Sequence, residues 1–215
     1  MPYTTLVAGT TITASWANAN VRDQTIPVFA SAATRDSSVT SPIEGMHAYT
    51  SDTNTLWFYT GSAWLFQSGP PPRFRLTGGG AGQTGVVTAT NTNCTWANGT
   101  EVTDTEAAIA IGTGVFTCPA ALAGRWLFEY SVAYDANGTG VRYAWLSHSA
   151  GPRLYGRMNM INLNAAAGEL LSASAEIVLA AAETVVVVVH QTSGANRTVN
   201  TSADQYFQGR YVGPA

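Results

Sequence analysis

The chain has 215 residues, 46% of them hydrophobic, enough to build one large domain or a medium domain with a smaller one attached. Only 11% are charged, against about 25% in average soluble proteins, and the formal net charge is −3 with no basic cluster, which excludes the electrostatic footprint of a DNA- or RNA-binding protein. The longest strongly apolar run, Ile177 to Val189, is interrupted by Glu183 and is shorter than the roughly 20 residues of a spanning helix, so no membrane insertion is expected.

Along the chain, Met1-Pro-Tyr-Thr-Thr-Leu6 lacks a charged n-region followed by an apolar h-region and predicts no secretory signal. Thr13 then stands before Ala14 to Arg22, where Trp16, Ala17, Asn20 and Val21 fall at helical spacing behind a capping residue, predicting one short helix. Its apolar stripe is thin, so it must pack on something else. The runs His47–Ser51, Thr55–Tyr59 and Ala63–Phe66 are β-rich and are separated by Asp52-Thr-Asn54 and Gly61-Ser62, which predicts a small meander with tight turns. Residues 1–68 are read as one small module.

Three consecutive prolines, Pro70 to Pro72, and the glycine-rich stretch Gly78 to Gly85 predict a Pro/Gly-rich linker over residues 69–85. Residues 86–215 carry a longer rhythm of strands. From Arg125 to Tyr134, Trp126, Phe128, Tyr130, Val132 and Tyr134 share one face, the pattern of a half-buried antiparallel strand. The turn Asp135-Ala-Asn-Gly138 leads to a second strand, Val141–Leu146, and Arg153–Met160 continues the series. Ala173, Ala175, Ile177 and Leu179 alternate in a further strand. Val185–Val189 is apolar on both faces, as in a fully buried strand, and Gln205–Val212 closes the chain. The expected fold is mainly β, with a C-terminal antiparallel jelly-roll sandwich.

Thr113-Gly-Val-Phe-Thr-Cys-Pro119 followed by Gly124-Arg-Trp-Leu-Phe128 resembles the globular heads of complement's first component and the wider tumour-necrosis-factor-like jelly rolls. In that family a "G-x-F-x-x-P" segment leads into a strand beginning "G-x-Y-x-F"; here Trp126 replaces the Tyr, and Ala120–Ala123 forms a longer loop. Leu179 to Val188 and Phe207-Gln-Gly-Arg-Tyr211 resemble the family's later turn and closing strand, so the match spans roughly residues 95 to 213. The resemblance implies a homotrimer.

Ile12-Thr-Ala-Ser-Trp16, Val21 to Phe29, and Pro42-Ile-Glu-Gly-Met46 through Trp64 resemble the opening modules of minor tail and head-fibre proteins from phages of actinobacteria. All ten basic residues are Arg, which fits a GC-rich host. This second resemblance implies location on the virion surface, with residues 1–68 docking on other virion proteins, whether tail or major capsid protein. The head is then expected to engage the host surface, through a cell-surface glycan or protein.

No motif carries catalysis, and the chain is not expected to be an enzyme: no catalytic, cofactor-binding or metal residues are assigned and no cofactor is expected. Gly80-Ala-Gly-Gln-Thr-Gly85 formally matches G-x-G-x-x-G, but the β-type run Val86–Thr90 follows it where a nucleotide site needs a helix. His47, His148 and His190 are too far apart in sequence to form a local metal motif. Cys94 and Cys118 are read as half-buried thiols or one optional bridge. A polysaccharide-cutting spike needs paired carboxylates, for which Asp104, Glu106, Glu129, Asp135, Glu169 and Glu176 are available; Glu129 and Glu176 read as structural or interfacial. Met158 and Met160 share a strand face and read as core or trimer-seam packing. Tyr143, Trp145 and Tyr155 are expected to pack inside the sandwich and, if exposed, to stack on sugars or proteins. The Asn93, Asn98, Asn137, Asn196 and Asn200 sequons read as Asn/Thr-rich loops.

These readings converge on a phage structural protein, a trimeric surface spike or minor tail fibre. A capsid decoration protein or head fibre is the alternative, and a polysaccharide-degrading tailspike stands behind both.

Overall fold

A computed structural model of the chain describes residues 8–9, 11–20, 26–161 and 169–215. The chain divides into two compact units, Met1–Pro70 and Pro71–Ala215.

In the first unit the helix behind Thr13 forms as α1 (Ala14–Asn20), with Thr13 Oγ1 accepting from the Trp16 amide at 3.1 Å. Val21 and Arg22, the expected end of that helix, lie outside the described residues. A short strand, β1 (Val28–Phe29), runs parallel to β2 (His47–Thr50), which continues antiparallel into β3 (Thr55–Tyr59) and β4 (Trp64–Ser68). The three predicted strands are therefore present as a meander. β1 and a second helix, α2 (Ala32–Ser38), go beyond the sequence reading.

Ser31 caps α2 by accepting from the Thr34 amide at 3.2 Å. The helix carries Arg35, which is 3% exposed, into the sheet's core. There its guanidinium carbon lies 4.8 Å from the Trp57 ring and 4.7 Å from the Trp64 ring, and Nη2 sits 2.8 Å from Asp36 Oδ1. Two aromatic faces and one carboxylate replace the water this cation loses.

The second unit corrects the linker assignment. Within residues 69–85, Arg73–Thr77 forms β5 and Gln83–Val86 forms β6, so the head begins at Pro71 and not at residue 86. Phe74 and Leu76 are buried and alternate with Arg73 and Arg75, a two-residue period that seats β5 in a sheet despite the prolines before it. The glycines of the G-x-G-x-x-G match adopt positive φ at Gly80, Gly82 and Gly85, the last of them inside β6; of the β-type run expected over Val86–Thr90, only Val86 lies in that strand, and Thr88 makes an isolated bridge to Gln191.

The remaining strands are β7 (Thr92–Asn93), β8 (Thr100–Asp104), β9 (Ile109–Ala110), β10 (Val115–Thr117), β11 (Gly124–Tyr134) and β12 (Val141–His148). They continue with β13 (Gly151–Ile161), β14 (Glu169–Leu179), β15 (Thr184–Gln191), β16 (Arg197–Val199) and β17 (Tyr206–Gly213). One sheet runs β6-β16-β11-β17-β5-β8, with β14 also on β11; the other runs β13-β12-β15-β10-β9, with β7 also on β15. The paired strands of both sheets are antiparallel, and their neighbours are mostly distant in sequence, the crossing pattern of a jelly roll.

The predicted alternation in β11 holds: Trp126, Phe128, Tyr130, Val132 and Tyr134 are all buried. They meet a cluster of rings from other strands, with Phe74–Phe207 centroids 4.9 Å apart, Phe116–Trp126 4.7 Å and Phe116–Phe128 5.2 Å. Each such pair contributes about 0.5–1.5 kcal/mol beyond the area it buries. Gly209 lets these rings in, because a Cβ there would stand 2.5 Å from Phe74 Cε1 and 2.9 Å from Phe128 Cδ1. In β15, Val185, Val187 and Val189 are fully buried, Val188 is 6% exposed, and Val186 on its outer side is only half-buried.

Candidate functional site

Each carboxylate with described contacts is held by its own structural partners. Asp104 Oδ2 accepts from the Ile109 amide at 2.9 Å, Asp135 pairs with Arg197 at 3.6 Å, and Glu176 pairs with Arg125 at 3.7 Å. Glu129 accepts from Gln208 Nε2, and Gln208 Oε1 accepts from Arg75 Nη1 at 2.6 Å, a ladder across the outer face of the sheet holding β11, β17 and β5. The Glu169 side chain lies outside the described residues.

The histidines are separated as the sequence suggests. His47 Nδ1 lies 3.1 Å from the Gly45 carbonyl, His148 Nε2 lies 3.0 Å from Glu183 Oε2, and His190 Nδ1 lies 2.9 Å from Asn91 Oδ1. Among the described residues no group of three or more His, Cys, Asp or Glu side chains is placed to hold a metal ion. Cys94 and Cys118 are both free and buried; burial pushes the Cys94 thiol up to about 12 and the Cys118 thiol up to about 11, the nearby Glu183 charge adding to the latter.

The arrangement with binding character lies on the outer face of the sheet containing β12. Strand register puts Tyr143 opposite His190 of β15 on one side and Asn159 of β13 on the other. Trp145, two residues further along β12, is on the same outer face, so the expectation that Tyr143 and Trp145 pack inside the sandwich is corrected. The inner positions of β12 are taken by Arg142, Ala144 and Leu146, each 0% exposed. Tyr155, by contrast, stands opposite Leu146 and beside His148 at 6.3 Å.

Asn91, Tyr143, Trp145, Leu154, Arg157 and His190 line a surface cleft of about 300 Å³. Trp145, 6% exposed, is its floor. The Arg157 guanidinium carbon is 4.8 Å from the Tyr143 ring, and the His190 ring meets the Tyr143 ring edge-on at 5.6 Å. With Asn91 Oδ1 as acceptor, His190 donates through Nδ1, and in the neutral ring Nε2 is left as an acceptor. Alternation along β12 makes Tyr143 and Trp145 visible in the sequence as a pair. Asn91, Arg157 and His190 join them only through strand pairing, and no local motif announces them.

The head is thus a jelly-roll sandwich with an aromatic, arginine-bearing cleft on one sheet. No family model matches the chain, and no curated protein does. Among solved structures it is similar to the Eiger TNF of S. frugiperda, with 12% identity over 68% of this chain and 95% of that one and a TM-score of 0.52. It is similar also to murine APRIL at pH 8.0, with 11% identity over 66% of this chain and all 100% of that one and a TM-score of 0.50. The globular domain of zebrafish complement 1qA protein matches at 16% identity, 67% and 99% coverage and a TM-score of 0.48. The first two support the jelly-roll fold, and identities this low speak to fold alone.

Proposed function

We propose that this protein is a structural component of a tailed-phage virion, a homotrimeric surface spike or minor tail fibre that acts without catalysis. Residues 1–68 dock it on other virion proteins and the jelly-roll head engages the host surface. The observation that carries the reading is the two-unit build, in which a jelly-roll head follows a separate small β-unit whose sequence resembles phage fibre modules. Three heads acting together multiply weak contacts into useful avidity.

Exposed apolar side chains on β13 and β14 support the trimer. Met158 and Met160 of β13 are 39% and 38% exposed, and Leu170 and Val178 of β14 are 54% and 55% exposed. This exposure supports reading the methionines as subunit-seam packing. Light scattering on the full chain is expected to give three times the monomer mass, and Met158→Lys combined with Met160→Lys to lower it. A monomeric wild type at micromolar concentration overturns the trimer.

Virion location is tested by immunogold labelling of intact particles with an antibody against residues 86–215. Label at the tail tip supports attachment, label over the capsid makes the protein a decoration protein or head fibre, and unlabelled virions sink both.

A further inference from the structure

We infer that the cleft between Asn91, Tyr143, Trp145, Arg157 and His190 binds a carboxylate-bearing sugar, the acidic residue of a surface polysaccharide. The inference rests on the attachment reading for its biological setting and on the cleft's own chemistry for its ligand.

Charge comes first. None of the six lining residues is acidic, and Arg157 supplies a fixed positive charge. Arg157 has no ion pair among the described residues and is held by the face of Tyr143. A guanidinium steadied on an aromatic ring keeps its planar fork free for bidentate contact with a carboxylate.

The remaining groups suit a sugar. Tyr143 offers the accessible part of its ring to a sugar's C–H face above the buried Trp145 floor, and the Asn91 amide N–H₂ and the His190 Nε2 acceptor offer partners to neighbouring hydroxyls. At about 300 Å³ the cleft is at the small end of the range for small-molecule sites, room for one sugar residue rather than a long chain segment. A polyphosphate or nucleic acid fits less well, because the cleft holds one arginine and the chain's net charge of −3 repels polyanions at long range.

The cleft's backbone is also held from behind. Across the sandwich, Tyr134 Oη lies 2.9 Å from the Tyr143 carbonyl and 3.0 Å from the His190 carbonyl. Tyr130 Oη lies 2.8 Å from the carbonyl of Ala144 and 2.6 Å from that of Gly156, the residues just before Trp145 and Arg157. Four lining residues therefore sit on or next to backbone anchored by two buried tyrosines, so little ordering is left for the ligand to impose.

Calorimetric titration of the full chain with soluble uronate trisaccharides of gluco, galacto and manno configuration, with their methyl esters, and with inorganic phosphate tests the proposal. At least one uronate is expected to bind, and its ester to bind at least about tenfold more weakly. Arg157→Gln is expected to weaken the uronate by about tenfold and leave the ester unchanged, while Asn91→Ala weakens both; circular dichroism checks that each variant is folded. Equal binding of acid and ester, displacement of the uronate by equimolar phosphate, or no uronate binding by folded protein overturns the assignment. Binding of labelled wild-type protein to host cells is measured in parallel. Adhesion without uronate binding overturns this site and keeps the attachment reading, and uronate binding without adhesion does the reverse.

Discussion

The hydroxyl of Tyr134, on β11 of one sheet, reaches across the core to within 2.9 Å of the Tyr143 carbonyl on β12 of the other. Its burial, with Val199 opposite it and the Arg142 guanidinium over its ring, comes from the period-two pattern of β11, while its partner is supplied by the packing of the two sheets. Tyr134→Phe keeps the ring and removes the hydroxyl, and is expected to cost about 1–2 kcal/mol in urea unfolding. An unchanged midpoint means that the hydroxyl adds nothing to holding the sheets together.

Gln191 ends β15 fully buried with both ends of its amide in use. Nε2 donates to the Val86 carbonyl at 2.9 Å and the Ala195 carbonyl at 2.8 Å, and Oε1 accepts from the Ser193 amide and hydroxyl, both at 2.7 Å. Gln191→Leu leaves those groups without their partner and is expected to destabilise by about 2–4 kcal/mol, read as a lower urea midpoint at unchanged slope.

In the first unit, Arg35 between Trp57 and Trp64 is expected to resist conservative exchange. Lysine keeps the charge but has no planar face to stack, so Arg35→Lys should lose about 1–2 kcal/mol. Intrinsic tryptophan fluorescence during unfolding measures it, and a variant as stable as wild type removes the stacking from the account of this core.

Glu183 makes stability depend on acid. The Ala180 amide, donating at 2.7 Å, and then His148 hold its carboxyl below the ordinary carboxylate range. The folded state therefore favours the ionised form, so this contribution is complete above the unfolded value of about 4.3 and is lost as pH falls through the lower folded value. Thermal melts of wild type and Glu183→Gln are expected to differ at about pH 5 and to converge toward pH 3. A gap that stays constant over that window contradicts the assignment.

The thiols are expected to be inert in the native protein. With Cys94 pushed up to about 12 and Cys118 to about 11 by burial, almost no thiolate exists at mildly alkaline pH. A chromogenic disulfide reagent should label neither until denaturant is added and both afterwards. Rapid native labelling of either places that cysteine at the surface.

Local pattern alone determined the class of this fold. Alternation from Trp126 to Tyr134, the valines of β15 and the short β-rich runs between Asp52-Thr-Asn54 and Gly61-Ser62 can each be read residue by residue, because a strand's two faces are fixed by its own sequence. The same local reading misjudged residues 69–85. Prolines and glycines there signal a loop, and the alternation of Phe74 and Leu76 with arginines prevails because β8 and β17 stand ready to pair with β5. It also put Tyr143 and Trp145 inside. Periodicity tells which residues share a face but not which face meets the core, and that was decided when Arg142, Ala144 and Leu146 took the inner side. The cleft is the extreme case: Asn91, Arg157 and His190 come from separate segments, and only the pairing of β12 with β13 and β15, together with the placement of Asn91 beside His190, brings them around one tryptophan.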